Sequence, residues 1–499
     1  MNGNLFARLV SGFPADRRQV FLETPDGRAV SFADLLAGAG RIAALLRAAG
    51  VGPGDRVAVQ VEKSPEAVFL YLACLQVGAV YLPLNSGYTP AELAYFLDDA
   101  EPKVTVCDPS TAEAIAALIP EGGVLHTLGA DGGGSLAEAS AGLASERAVA
   151  VRRGEDIAAI LYTSGTTGRS KGAMLSNDNL WSNVATLHWL WGFRPGDVLI
   201  HALPLYHTHG LFVALNLMLM NGGKLILLPK FDAETVIGLL PRASVLMGVP
   251  TYYTRLLASP GLTLEATAGM RLFVSGSAPL LAKTHAEFEA RTGSRILERY
   301  GMTETGMNCS NPLEGERRAG TVGMPLPGIE VRVCDEAGLP VPAGEPGVLE
   351  VRGPNVFRGY WHMPEKTASE MRPDGFFITG DVAVIGPDGY VTIVGRAKDM
   401  VISGGLNVYP SEIEAALDAL PGVRESAVIG VPHPDLGEAV VAVLATDGDP
   451  GDVVAALRGR LAGFKLPRHV ALVADLPRNA MGKVQKAALR QAFAGVFGG

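Results

Sequence analysis

The sequence predicts an α/β protein of two unequal domains: a larger one built on parallel sheets covered by helices, and a compact α+β unit at the C-terminal end. Three observations carry this. At 499 residues the chain exceeds what one ordinary hydrophobic core organises. Before Arg396, short apolar runs alternate with amphipathic or Ala/Leu-rich segments, the pattern of strands joined by helical crossovers. After Arg396 the helices and strands become shorter and more closely spaced. We set the boundary at Lys398, dividing 1–397 from 398–499.

The elements follow in order. From Val30 to Gly50, Leu35, Leu36, Ile42, Leu45 and Leu46 form the apolar face of a helix that Ser31 caps. Arg56 to Val61 reads as a strand, Pro65 to Gly78 as a helix, Tyr81 to Leu84 as a strand. A helix from Pro90 and a strand at Val104 to Cys107 continue the alternation. Asp131 to Glu146 is rich in Gly, Ala and Ser and reads as a surface loop. Strands are expected at 157–161, 198–200, 225–228, 245–248 and 272–275, with a helix at 177–190. Further strands are expected at 331–334 and 347–352. The last unit reads as helix 411–420, strands 427–431 and 440–445, helix 452–462 and strand 470–473.

Composition removes several function classes. A net charge of -9 with no long run of one sign disfavours a nucleic-acid surface. The four cysteines, Cys74, Cys107, Cys309 and Cys334, are widely spaced, which suits reduced thiols of a cytoplasmic protein better than a zinc site or a disulfide framework. Met1 to Leu5 lacks the layout of a signal peptide. The most apolar segment, Leu211 to Met220, is interrupted by Asn216 and too short to span a bilayer, so no membrane partner is expected.

Chemistry concentrates in a few strings. In Tyr162-Thr163-Ser164-Gly165-Thr166-Thr167-Gly168-Arg169-Ser170-Lys171-Gly172, glycines let backbone N–H groups converge, hydroxyls add neutral donors, and Arg169 and Lys171 supply charge. That chemistry suits a triphosphate. It is not a Walker A loop, which needs glycine at Ser170 and Ser or Thr at Gly172. Taken alone, such a loop reads more readily as a surface turn. His201, His207 and His209 match no standard metal-ligand spacing. Glu304 follows Arg299-Tyr300-Gly301-Met302-Thr303, and Asp381 follows Phe377-Ile378-Thr379-Gly380. A carboxylate suits Mg²⁺ at the first and a vicinal diol at the second. By themselves these read as a solvated acid and a turn residue.

The strings gain meaning together. Tyr162–Gly172, His201–Gly210, Gly276–Leu280, Leu297–Glu304, Phe376–Asp381, Gly395–Lys398 and Leu476–Lys486 resemble, in order, the motifs of the adenylate-forming superfamily of acyl-CoA synthetases, adenylation domains and luciferases. The resemblance covers essentially the whole chain. It implies a large N-terminal domain of stacked mixed sheets with helices and a small mobile C-terminal lid. It also implies a two-step reaction: a carboxylate attacks ATP to give an acyl-adenylate and pyrophosphate, then the coenzyme A thiol displaces AMP.

Site roles come with the resemblance. Thr163, Ser164, Gly165, Thr166, Thr167, Gly168 and Lys171 would cradle the phosphates. Gly276, Ser277 and Ala278 would lie along the adenine edge, and Glu298, Tyr300, Gly301 and Met302 would complete the nucleotide pocket, with Tyr300 stacked on the base. Thr303 would contact the α-phosphate, Glu304 with Thr163 would hold Mg²⁺, and Asp381 and Arg396 would bind the ribose. His207, Ser275 and Arg299 would line the acyl pocket. Lys483 would serve adenylation, and rotation at Lys398 would replace it with the loop Ser403-Gly404-Gly405 for the thiol step. Lys483 would also be the target of a lysine acetyltransferase. No carrier domain follows Lys486, which disfavours a multimodular synthetase.

Arg299 points to the acid. A guanidinium buried beside an adenylate site is costly without an anion, and a second carboxylate on a short substrate supplies one. The match is to the malonate-using branch of the superfamily, with methylmalonate as a second substrate. The alternatives are that Arg299 pairs with a protein acid such as Glu298, that the substrate is acetate, propionate or another monocarboxylate, or that the chain is a non-catalytic nucleotide-binding relative.

Replacing Lys483 with alanine should reduce adenylation by about 10²–10³, as for loss of one transition-state donor. Thioester formation from supplied acyl-adenylate should largely survive. Equal loss in both half-reactions would assign the lysine to folding or lid docking instead.

Overall fold

The computed structural model describes residues 2–163, 170–403, 406–448, 450–458, 460–479 and 482–497. Two sheets, parallel except at their ends, form the body of the protein among these residues. One runs in the spatial order Val124–Thr127, Val104–Cys107, Arg56–Gln60, Val80–Pro83, Ile157–Thr163, Lys171–Ser176, and its last pair is antiparallel. The other begins with Met324–Pro325, Gly306–Ser310, Leu297–Met302 and Leu272–Ser275. It continues through Val245–Gly248, Val198–His201, Lys224–Leu227, Val20–Glu23 and Ala29–Ser31.

Side-chain alternation shows how the two sheets stack. Val57, Val59, Tyr81, Leu199, Val245, Met247, Leu272 and Val274 share one buried cluster that draws on both sheets. The intervening Ala58, Leu82 and Ile160 point to a second cluster with helix Pro90–Ala100. Ile200, Leu246 and Phe273 point to a third, shared with helices Pro250–Ala258 and Ala282–Thr292. Strand side chains alternate, so each sheet is covered on both faces. Helix Pro65–Val77 lies in the shared layer, and all of it except Glu66 is buried. A helix apolar on every side belongs between two sheets.

A third sheet is purely antiparallel: Glu330–Cys334, Gly347–Arg352, Phe377–Ile385, Val391–Arg396. The small C-terminal domain has its own five-stranded sheet, with one core under helix Pro410–Asp418 and another under helix Lys486–Phe493. No helix among the described residues is long and apolar enough to cross a membrane.

Several expectations are corrected. Ser31 does cap the first long helix, in a reciprocal capping box with Asp34, but the helix spans Phe32–Ala48 and Ser31 ends a short edge strand. The stretch read as a surface loop, 131–146, contains helix Ser135–Ala141, whose Leu136 joins the main core. Ala-rich sequence favours helix once one apolar residue finds a core to enter. Among the described residues of the long helix expected at 452–462, the helix spans Val453–Leu457. Strands Val423–His433 and Gly437–Thr446 are longer than expected, because their pairing as neighbours extends both beyond their apolar centres.

In the antiparallel sheet, fully buried Glu350 accepts from Arg332 and Arg372 at 2.7 Å each. Replacing Glu350 with Gln leaves two guanidinia facing an amide. We expect a loss of about 2 kcal/mol, below the value for a fully buried pair because both arginines touch water. A thermal melt checks this, and an unchanged melting temperature would show that Asp374 suffices for Arg332.

Candidate functional site

Parallel strands converge on one edge. Val198–His201, Val245–Gly248 and Leu272–Ser275 end close together, with Gly248, Ser275 and Glu298 in register, and Leu297–Met302 runs on past them. The strand order reverses here: Lys224–Leu227 follows Val198–His201 on one side, and Val245–Gly248 lies on the other. In open α/β sheets such a switch point opens a crevice beyond the carboxyl ends of the strands. The loops leaving these ends carry His207, His209, Ser275, Gly276 and Ser277.

Arg299 occupies the crevice floor. It is 3% exposed, and its Nε and Nη2 have no hydrogen-bond partner among the described residues. Burial draws its pKa down to about 9, so it remains a cation at neutral pH. A Cβ at Gly276 would lie 2.5 Å from Arg299 Cζ, so glycine there is what admits the guanidinium. The neighbouring polar atoms are also unmatched among the described residues: Ser275 Oγ, His207 Nδ1 and His209 Nε2 are buried without partners. Ser277 has a left-handed backbone (φ +72°), a conformation costly for a non-glycine residue, and its Oγ lies 3.5 Å from His209 Nδ1. Burial holds His207 down to about 3 and His209 well below the ordinary range. The charge of Arg299 adds to the effect in both, so both imidazoles are neutral.

Glu298 is not the partner of Arg299. Its Oε1 accepts from the Leu280 N–H at 3.2 Å, its Oε2 has no partner among the described residues, and burial pushes its pKa up to about 8. Successive residues of a strand face opposite sides.

A second group of residues surrounds Glu304. Its buried Oε1 lies 3.4 Å from Thr163 Oγ1 and 3.1 Å from Tyr360 Oη. Burial raises its pKa, opposed chiefly by its own backbone N–H and by Lys171. A buried carboxylate beside a hydroxyl offers hard oxygen donors of the kind Mg²⁺ shares with phosphates, so the residues fit that ion. Lys171 donates to Glu370 at 3.2 and 3.4 Å and lies 4.1 Å from the Tyr360 ring centroid. Tyr360 and Glu370 escaped the sequence reading. They lie nearly two hundred residues beyond the stretch Tyr162–Gly172, and nothing local marks them.

The third group is Tyr300, Asp381 and Arg396. The Tyr300 hydroxyl donates to Asp381 Oδ2, and Arg396 Nε pairs with Asp381 Oδ1 at 2.7 Å. Thr379 Oγ1 accepts from the Asp381 N–H at 3.0 Å, a support also missed in the sequence. Gly301 and Met302 lie on the same strand, and a Cβ at Gly301 would meet Gly306 O at 2.1 Å.

Lys483 reaches this region from the small domain. The residue is exposed overall, yet burial of its ammonium lowers its pKa. The charges of Arg396 and Arg299 act in the same direction, while Asp381 and Glu304 oppose them. Lys398 lies in a single turn, Ala397–Asp399, and Ser403 ends the strand that follows. Ser164, Gly165, Thr166, Thr167, Gly168, Gly404 and Gly405 lie outside the described residues.

Residues 6–361 match the AMP-binding enzyme family, and residues 412–483 match the AMP-binding enzyme C-terminal domain. The ATP-bound MatB from Rhodopseudomonas palustris is 58% identical, with TM-score 0.97 and 100% of both chains covered. A feruloyl-CoA synthase from Amycolatopsis sp is 37% identical, covering 94% of each chain. The mitochondrial malonate–CoA ligase ACSF3 of Bos taurus is 35% identical over 87% of this chain and 80% of its own. The chain belongs to the AMP-binding enzyme family and is an AMP-forming acid–thiol ligase, an acyl-CoA synthetase that takes ATP and coenzyme A.

Proposed function

We propose that the protein ligates malonate, with methylmalonate as a second substrate, to coenzyme A through an enzyme-bound acyl-adenylate: a malonyl-CoA synthetase. The observation that carries this reading is the buried guanidinium of Arg299, with Nε and Nη2 unmatched at the end of the crevice. A short dicarboxylate places its distal carboxylate on that fork and its reacting carboxylate toward Glu304 and Lys483. Ser275 and the neutral imidazole of His207 line the same end. The malonate–CoA ligase among the relatives supports the same acid.

The residues divide the work. Lys171, Thr163 and the loop from Ser164 to Gly168 hold the phosphates. Tyr300 and the segment Gly276-Ser277-Ala278 hold the base, and Asp381 and Arg396 grip the ribose. Mg²⁺ held at Glu304 beside Thr163 neutralises phosphate charge when bound. Thr303 and Lys483 donate to the α-phosphate as charge builds on it. Acetylation of Lys483 by a lysine acetyltransferase removes that donor's charge. The lid then turns at Lys398, the boundary between 1–397 and 398–499, withdraws Lys483 and presents Ser403-Gly404-Gly405 to the thiol.

Lys398→Pro restricts φ at the hinge. Acid-dependent ATP–pyrophosphate exchange should persist while transfer to coenzyme A falls. Wild-type rates in both would move the hinge and the domain boundary elsewhere.

Arg299→Met should cost malonate about 2–5 kcal/mol in kcat/KM, the range for truncating one partner of a buried charged pair. Propionate should lose little. Lysine should rescue malonate only in part, because a point charge cannot reproduce the planar fork. The ratio of kcat/KM for the two acids is the measurement. An unchanged ratio would detach Arg299 from the distal carboxylate, and a wild-type preference for propionate would overturn malonate itself.

A further inference from the structure

One side chain ties the backbone at Lys483 to the lid sheet. Arg478 and Val484 face each other as an antiparallel bridge. The Asn479 N–H donates to Lys483 O at 2.9 Å, and the Lys483 N–H donates to Asn479 Oδ1 at 3.0 Å. Gly482 has φ +74°, a left-handed conformation that glycine adopts freely. Its carbonyl, on the peptide immediately before Lys483, accepts from Arg478 Nη1 at 2.5 Å. The other terminal nitrogen of Arg478 pairs with Glu425 on strand Val423–His433. A single guanidinium thus spans from the lid sheet to the backbone of Lys483.

Glu425 lies on strand Val423–His433, which pairs along its length with Gly437–Thr446 in the lid sheet. The chain just beyond Lys483 is tethered separately, by Lys486 Nζ to Glu414 Oε1 at 2.6 Å, and Glu414 Oε1 also accepts from the Val428 N–H at 2.7 Å. Arg478 and Glu425 are each 29% exposed, so their pair contributes little to stability. Its geometry is what distinguishes it. Lys483 has a long flexible side chain, so where its ammonium sits among the charges of Arg396, Asp381, Arg299 and Glu304 depends on how its Cα is held.

We propose that Arg478, anchored by Glu425, is a positioning residue for adenylation that holds the Gly482–Lys483 peptide where Lys483 reaches the reacting phosphate. This rests on the role assigned above to Lys483. Arg478 acts only through that lysine, so its loss should fall on one half-reaction and vanish where the lysine is already gone.

The test is a double-mutant cycle in the full chain, reading ATP–pyrophosphate exchange with malonate and, separately, thioester formation from supplied malonyl-adenylate. Arg478→Met should lower exchange by about 10- to 100-fold, the scale of a misplaced catalytic group, and leave the thioester step within about 3-fold. Glu425→Gln should show a smaller loss of the same kind, and Arg478→Lys should recover part of it. In a Lys483→Ala background, Arg478→Met should add less than about 2-fold. Equal losses in both half-reactions, additive losses in the cycle, or wild-type exchange in Arg478→Met would each overturn the proposal. Wild-type exchange in Lys483→Ala would overturn the role of Lys483, and this proposal with it. A full Lys483→Ala loss beside an active Arg478→Met overturns this proposal alone.

Discussion

A cation buried with no acceptor among the described residues is the constraint around which the site is arranged. Arg299 leaves water at the edge of a parallel sheet, and no described carboxylate comes to meet it. Its surroundings follow from that. Gly276 has no side chain because one would strike the guanidinium. His207 and His209 stay neutral because burial and the cationic neighbour act together. Glu298, the nearest acid in sequence, faces the other side of its strand and stays largely protonated at neutral pH. A desolvated charge in this setting is costly unless an anion meets it, which is the basis of the proposed dicarboxylate reading.

The nucleotide side is arranged differently. Its charges are matched: Asp381 with Arg396, Lys171 with Glu370, and Tyr360 within hydrogen-bonding reach of both Glu304 and Glu370. Matched pairs hold cations and carboxylates in defined positions without a substrate present, which lowers the cost of ordering them when ATP arrives. The site therefore joins a preorganised half and an unsatisfied half. The two meet where the small domain supplies Lys483, whose pKa is lowered by burial and by cations from both sides.

Much of this was legible in the linear chain, because the groups proposed to touch a phosphate or a carboxylate come as short contiguous strings. Lys171, Arg299, Glu304, Asp381 and Lys483 each stand in such a string, and the alternation of apolar runs with helical segments gave the class of fold. Helix Ser135–Ala141 was missed because Leu136 is its one strongly apolar residue, and local sequence does not show the core that receives it. The helix at 452–462 was over-extended because helical composition continues past Leu457, while the backbone turns extended at Arg458.

The reaction class came from the linear chain through the ordered resemblance of its strings to the adenylate-forming motifs. The chain also marked Arg299 as a cation that is costly to bury without an anion. The fold excluded Glu298 as that partner, because pairing depends on which side of a strand each residue faces. Only the fold joined Tyr360 and Glu370 to Lys171, and Glu425 to the turn that carries Lys483. These contacts lie tens to hundreds of residues apart: Tyr360 bridges to Ala173 on the strand that carries Lys171, and the Arg478 side chain reaches across to the lid strand of Glu425.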